Sequence, residues 1–159
     1  MDDTLKDLTG QAHLFFKNNK MTQDILHHEH LLLRCQVKNT NLVRDLDFIR
    51  NWMSSLIESI GMTVLIPPLA KYCDLPNNKG VTALAGLTTS HLAIHFWDED
   101  PQQDAMIQFD CYSCSTFSIH NVLAQINVFT ITSKVECAYV HRNERFVIEE
   151  FELDYPQHV

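Results

Sequence analysis

The chain has 159 residues, 45% of them hydrophobic and 20% charged, with four glycines and five prolines, a balance that excludes a disordered or fibrous protein and suits one domain with a sizeable core. A net charge of -8, with lysines and arginines scattered along the chain, excludes the basic footprint of a nucleic-acid binder. No apolar run approaches the roughly 18 residues of a membrane span, and Met1 to Lys20 starts acidic, unlike a secretory signal.

A soluble, cytoplasmic protein without nucleic-acid or membrane partners is therefore expected. The five cysteines, Cys35, Cys73, Cys111, Cys114 and Cys137, form an odd set that reads as reduced thiols rather than a disulfide framework.

In chain order, residues 1–27 fit no element and read as an N-terminal extension, an appended helix or arm, ahead of one domain over 28–159. The run His30 to Val37 is of strand type. Asn41 to Ile60 places Leu42, Leu46, Ile49, Met53, Ile57 and Ile60 at helical spacing, and Gly61 supplies a stop. Thr63 to Ile66 is a short strand, and the breaker-rich Pro67 to Gly80 is a loop.

Strands follow at Val81 to Leu87, Ser90 to Trp97 and Ala105 to Tyr112, the last two joined through the turn DEDPQQD. A second helix over Phe117 to Phe129 turns Ile119, Leu123 and Ile126 inward. Strands at Val135 to His141 and Arg145 to Phe151 close the domain. This order predicts an α+β fold, a two-layer sandwich with helices on one face of a mostly antiparallel sheet.

The stretch Ser90 to Trp97 puts polar chemistry on an otherwise apolar strand. Alternation sends Ser90, Leu92, Ile94 and Phe96 to one face and His91, Ala93, His95 and Trp97 to the other. No G-x-S-x-G elbow surrounds Ser90, so a Ser-His-Asp hydrolase is a poor match. At a tight bend, however, the Ser90 hydroxyl can fold back on the Thr89 carbonyl, the geometry of chain self-cleavage.

Cys111 and Cys114 form a C-x-x-C, but no second such pair or His pair lies at finger spacing, and on a strand residues three apart face opposite ways. The run His27 to His30 reads as a strand entrance by the same alternation. No metal is expected.

The segment GVTALAGLTTSHLAIHFWDED followed by QFDCYSC resembles the prokaryotic S-adenosylmethionine decarboxylase proenzymes. Their pattern is a small hydroxyl residue, an apolar strand, then Glu-Ser-His-x-x-x-His-x-Trp-x-Glu and a later Asp-x-x-x-Cys. The likeness runs from about His28 to Phe151. The resemblance implies self-cleavage between Thr89 and Ser90 by an N-to-O acyl shift, and elimination that turns Ser90 into a pyruvoyl group without any external cofactor. Schiff-base decarboxylation of S-adenosylmethionine then supplies polyamine, specifically spermidine, synthesis.

By the same resemblance, His95 removes the Ser90 α-proton, Cys114 reprotonates the substrate carbon, and Thr82 assists processing through its hydroxyl. Trp97 and Glu99 match Trp-x-Glu, whose carboxylate binds ribose. An aromatic that stacks on adenine is expected from the loop before Gly80, with Tyr72 the candidate. His91 matches a motif position with either a structural or a direct role.

The chain departs from the pattern at Thr89, where the family has glutamate. Family members form homodimers with sites near the subunit boundary, and a sheet covered on one face calls for cover on the other, so a two-fold dimer is expected. A related decarboxylase acting on arginine or ornithine, and an uncleaved relative that binds a ligand or partner, are the alternative readings.

Overall fold

The computed structural model describes residues 27–154, so the extension expected over 1–27 lies almost wholly outside the described residues. In chain order the strands are β1 (Glu29–Val37), β2 (Val64–Cys73), β3 (Gly80–Leu87), β4 (Ser90–Trp97), β5 (Ala105–Ser113), β6 (Val135–Arg142) and β7 (Phe146–Leu153), with helices α1 (Leu46–Ser59) and α2 (Ile119–Ile126). All seven strands form one sheet of order β2-β3-β4-β5-β1-β6-β7, and every paired neighbour is antiparallel. The α+β architecture expected from the sequence is the one observed.

Strand period sets the two faces. Leu31, Leu33, Cys35 and Val37 of β1, Leu92, Ile94 and Phe96 of β4, and Ile107, Phe109 and Cys111 of β5 are buried under the helices. Their partners in the layer are Ile49, Met53, Leu56 and Ile57 of α1 and Ile119, Val122, Leu123 and Ile126 of α2. Trp52 packs edge-on against Phe129 with ring centroids 5.1 Å apart and donates its indole N–H to the Gln125 carbonyl at 2.9 Å. The two helices are thereby tied to each other as well as to the sheet.

The helix expected over Asn41 to Ile60 is split. A 3-10 turn, Asn41–Arg44, ends at Asp45, whose extended backbone lets its carboxylate accept from the N–H groups of Asp47 and Phe48 at 3.1 and 2.9 Å. A helix start with that cap outcompetes a continuous helix. Gly61 ends it at φ 73°, a conformation that favours glycine.

The loop expected over Pro67 to Gly80 is a correction: β2 runs straight through Pro67 and Pro68 and leaves only 74–79 as connection. β2 is an edge strand, paired with β3 alone. Its register slips between Val64 and Ile66 and again between Ile66 and Leu69, so prolines without N–H groups sit where no ladder bond is needed.

Candidate active site

β3 and β4 form a hairpin in which Leu87 pairs with Ser90 across Thr88 and Thr89. The positive φ beside this two-residue connection falls on neither Thr88 nor Thr89 but on Ser90, at φ 153°. A non-glycine residue in that region stores on the order of 1–3 kcal/mol, placed on the Thr89–Ser90 peptide. The Ser90 hydroxyl donates to the Thr89 carbonyl oxygen. That oxygen also accepts the backbone N–H of Cys114 at 3.0 Å, because Ser90 pairs with Ser113 at the end of β5. The Thr89 hydroxyl oxygen is buried and has no partner.

A second constellation lies at the far end of β4. Thr82 of β3 stands opposite His95, and its hydroxyl is 3.0 Å from His95 Nδ1. This contact fixes the orientation of the ring through Nδ1. The His95 and Trp97 rings lie 5.5 Å apart, and the indole N–H of Trp97 donates to Asn78 Oδ1 at 3.1 Å. Glu99 accepts the Lys79 N–H at 3.0 Å.

Gly80, at φ 151°, admits the Phe96 carbonyl so closely that a Cβ would lie 1.7 Å from its oxygen. Residues 78–80 are thus stitched to residues 96–99. Buried Asp98 anchors the stitch: its carboxylate bonds Arg44 and accepts the Tyr72 hydroxyl at 3.0 Å, and Arg44 also reaches the Asp98 carbonyl at 3.2 Å. The hydrogen bond to Asp98 raises the Arg44 pKa above its ordinary value. Burial, then Asp98, raises that of Tyr72.

The sequence-derived residues therefore fall into two groups. Thr89, Ser90 and Cys114 meet at the hairpin end, and Thr82, His95, Trp97 and Glu99 meet at the other. Five residues of strand separate Ser90 from His95, about 16 Å at 3.3 Å per residue. Tyr72 belongs to β2, not to a loop, and it pairs with Val81 of the helix-covered face, whereas Thr82 and His95 lie on the open face.

The open face holds a trough of about 1010 Å³ bordered by Leu32, Leu84, His91, His95, Gln108 and Asp110, among others. On this face Asp110 sits between His30 at 2.8 Å and His91 at 3.5 Å, and the Tyr112 hydroxyl meets His28 Nδ1 at 2.6 Å. Sequence reading missed this cluster. Alternation along β1 does send His28 and His30 to the open face, but that β1 lies beside β5 is a long-range pairing that no local pattern displays. Among the described residues no group of three or more His, Cys, Asp or Glu is placed to hold a metal ion, and no helix is long and apolar enough to cross a membrane.

The comparison with curated proteins finds no match. The family model for S-adenosylmethionine decarboxylase matches residues 29–143. That span starts with β1, ends just past β6, and contains both constellations, the strained Ser90 of the first included. Covering well over half of the chain, it shows that this protein belongs to the S-adenosylmethionine decarboxylase family.

Proposed function

We propose that the chain is a proenzyme that cleaves itself between Thr89 and Ser90 and then, with a pyruvoyl group made from Ser90, decarboxylates S-adenosylmethionine to the aminopropyl donor of spermidine synthesis in the cytoplasm. One observation supports it most directly. Ser90 sits at positive φ with its hydroxyl on the Thr89 carbonyl while the Cys114 N–H holds the same oxygen at 3.0 Å.

The nucleophile is thus beside the carbonyl it has to attack, and a backbone donor is in place for the charge that grows on the oxygen. As the bond from Ser90 Oγ to the Thr89 carbonyl carbon forms, the Thr89–Ser90 C–N bond breaks and the hydroxyl proton passes to the freed nitrogen. Loss of the Ser90 α-proton then expels the Thr89 carboxylate, and hydrolysis releases ammonia. The strain at Ser90 favours this path, since cleavage frees the residue from the hairpin.

A pyruvoyl group supplies an electron sink for the carbanion left when carbon dioxide departs from an amino acid. Around it the chain's own residues divide the work. The Cys114 thiol, on the residue whose N–H touches the scissile carbonyl, returns a proton to the substrate carbon. Trp97 and Glu99 border the nucleoside.

His95 is the base for the Ser90 α-proton, held through Nδ1 by Thr82. At about 16 Å along the same strand it cannot serve its own Ser90. The functional unit is therefore a two-fold homodimer whose open faces meet, with His95 and Thr82 of one subunit attending Ser90 of the other. Exposed Leu32, Leu69 and Leu84 on that face suit burial against a second copy.

Intact-mass spectrometry tests the proposal. Cleavage yields pieces of 89 and 159 − 89 = 70 residues, the second with a blocked amino terminus. Ser90→Ala should remain one chain, and splitting that persists in it would sink the assignment. Co-expressed Ser90→Ala and His95→Ala chains should restore cleavage of the His95→Ala chain, because only the mixed dimer unites an intact serine with an intact histidine. If the mixture cleaves no better than His95→Ala alone, the shared site is refuted.

A further inference from the structure

Glu29 is a charged side chain in the wrong place for a surface strand. It lies on the helix-covered face of β1, is 6% exposed, and its Oε2 has no hydrogen-bond partner. Among the described residues no lysine or arginine forms an ion pair with it. Tyr139 donates a hydrogen bond to the carboxylate, and burial together with that charge raises the phenol's pKa. The His141 imidazole, opposite Glu29 on β6, is taken instead by Glu149 at 3.3 Å. A buried carboxylate left this poorly compensated is costly, which marks it as a group with work to do.

The sheet register says where that work is. Glu29 pairs with Ser113, and Ser113 pairs with Ser90. The three residues form one row across β1, β5 and β4, so the carboxylate is two strands, about 10 Å between Cα atoms, from the nucleophile. Between them the Ser113 hydroxyl is fully buried. It accepts the Ser115 N–H at 3.0 Å and lies 3.1 Å from the Ser115 hydroxyl.

The geometry points to Glu29 as the proton acceptor for chain cleavage, acting on Ser90 through the Ser113 hydroxyl. This rests on the self-cleaving reading above. As Ser90 Oγ bonds to the Thr89 carbonyl carbon, its proton moves to Ser113 Oγ, and the Ser113 proton moves to Glu29. The same proton returns along the row to the nitrogen when the C–N bond breaks. No proton is gained or lost, and no other reactant is needed. Ser113 exchanges the proton with the reacting oxygen directly, and Glu29 acts through it as a positioning residue. Thr89, next to the nucleophile, offers only a hydroxyl, and Glu29 is a buried carboxylate in the row of Ser90.

The test follows the fraction cleaved over hours after purification, by gel and intact mass, in wild type, Glu29→Gln, Ser113→Ala, and each combined with Thr89→Glu. Glu29→Gln and Ser113→Ala should each slow cleavage on the order of tenfold to a hundredfold, within the range for removing a positioned base. Both should keep the wild-type circular dichroism spectrum. Thr89→Glu, which puts a carboxylate beside Ser90, should restore the rate in both backgrounds, and a merely structural loss would not be rescued that way.

Wild-type cleavage in Glu29→Gln, or slow cleavage that Thr89→Glu fails to rescue in a folded protein, overturns the relay and leaves the proposed function standing. A wild type and a Thr89→Glu variant that both stay uncleaved overturn the self-cleaving reading and the relay with it.

Discussion

Asp98→Ala should remove about 3 kcal/mol of stability and loosen the Trp97–Glu99 segment together. The Asp98 side chain is wholly buried while Arg44 is 40% exposed. Breaking a fully buried pair costs about 3–5 kcal/mol, and the half-exposed guanidinium regains part of its hydration, which brings the pair to about 2 kcal/mol. Loss of the acceptor for the Tyr72 hydroxyl adds about 1 kcal/mol. For a domain of this size that sum lowers the midpoint of thermal unfolding by roughly 10 °C, read by circular dichroism or calorimetry.

Arg44→Ala leaves the Asp98 charge buried and alone, so it should cost nearly as much, and the double variant should cost less than the two singles added. Because Asp98 anchors the stitch between residues 78–80 and 96–99, KM for S-adenosylmethionine should rise in matured Asp98→Asn while cleavage at Ser90 is unaffected. A midpoint within about 2 °C of wild type for Asp98→Ala, or strict additivity with Arg44→Ala, would refute the reasoning.

Cys114→Ala should mature normally, since its backbone N–H is untouched, yet lose on the order of a hundredfold or more in product formation as the proton donor disappears; unchanged turnover in a decarboxylation assay refutes the role. Thr82→Val should slow maturation by releasing His95 Nδ1 while Thr82→Ser stays close to wild type, and equal rates for all three show that the 3.0 Å contact is idle. Burial pushes the thiols of Cys35, Cys111 and Cys137 from 9.0 up to about 12. Folded thiols then keep protons that unfolded ones release, so this stability is complete below pH 9 and falls as pH rises toward 12, by about 1.4 kcal/mol per pH unit for each thiol. Urea unfolding at pH 8 and pH 10 reads the drop, and equal stability at the two would contradict it.

The element plan was legible because central strands such as β1 and β5 keep their alternation and α1 and α2 keep helical spacing. What failed to show was the strand through Pro67 and Pro68. Prolines break a central ladder, and whether a strand is central or at an edge is decided by pairing partners far away in sequence. β2 has only β3 beside it, so the breakers read correctly as residues without donors and wrongly as a loop. Asp45 is a different case, because its capping carboxylate was visible in the sequence, but the apolar spacing on both sides masked it.

The two ends of β4 carry the larger lesson for the site. The motif Ser-His-x-x-x-His is compact on paper, and a helix would gather its members within about two turns. On a strand the same spacing puts Ser90 and His95 about 16 Å apart, a distance that no rotamer closes. On the proposed reading the chain builds the nucleophile with its carbonyl donor at one end of β4, and the base with its Thr82 support at the other, but it cannot join them by itself. In the proposed dimer, a two-fold axis lying between the open faces and perpendicular to the strands runs two copies of β4 antiparallel, so the serine end of one strand faces the histidine end of its partner. One contact then completes two sites at once. Maturation by this route becomes a property of the dimer, and it should slow upon dilution below the dissociation constant, whereas cleavage confined to one chain would proceed at a rate independent of concentration.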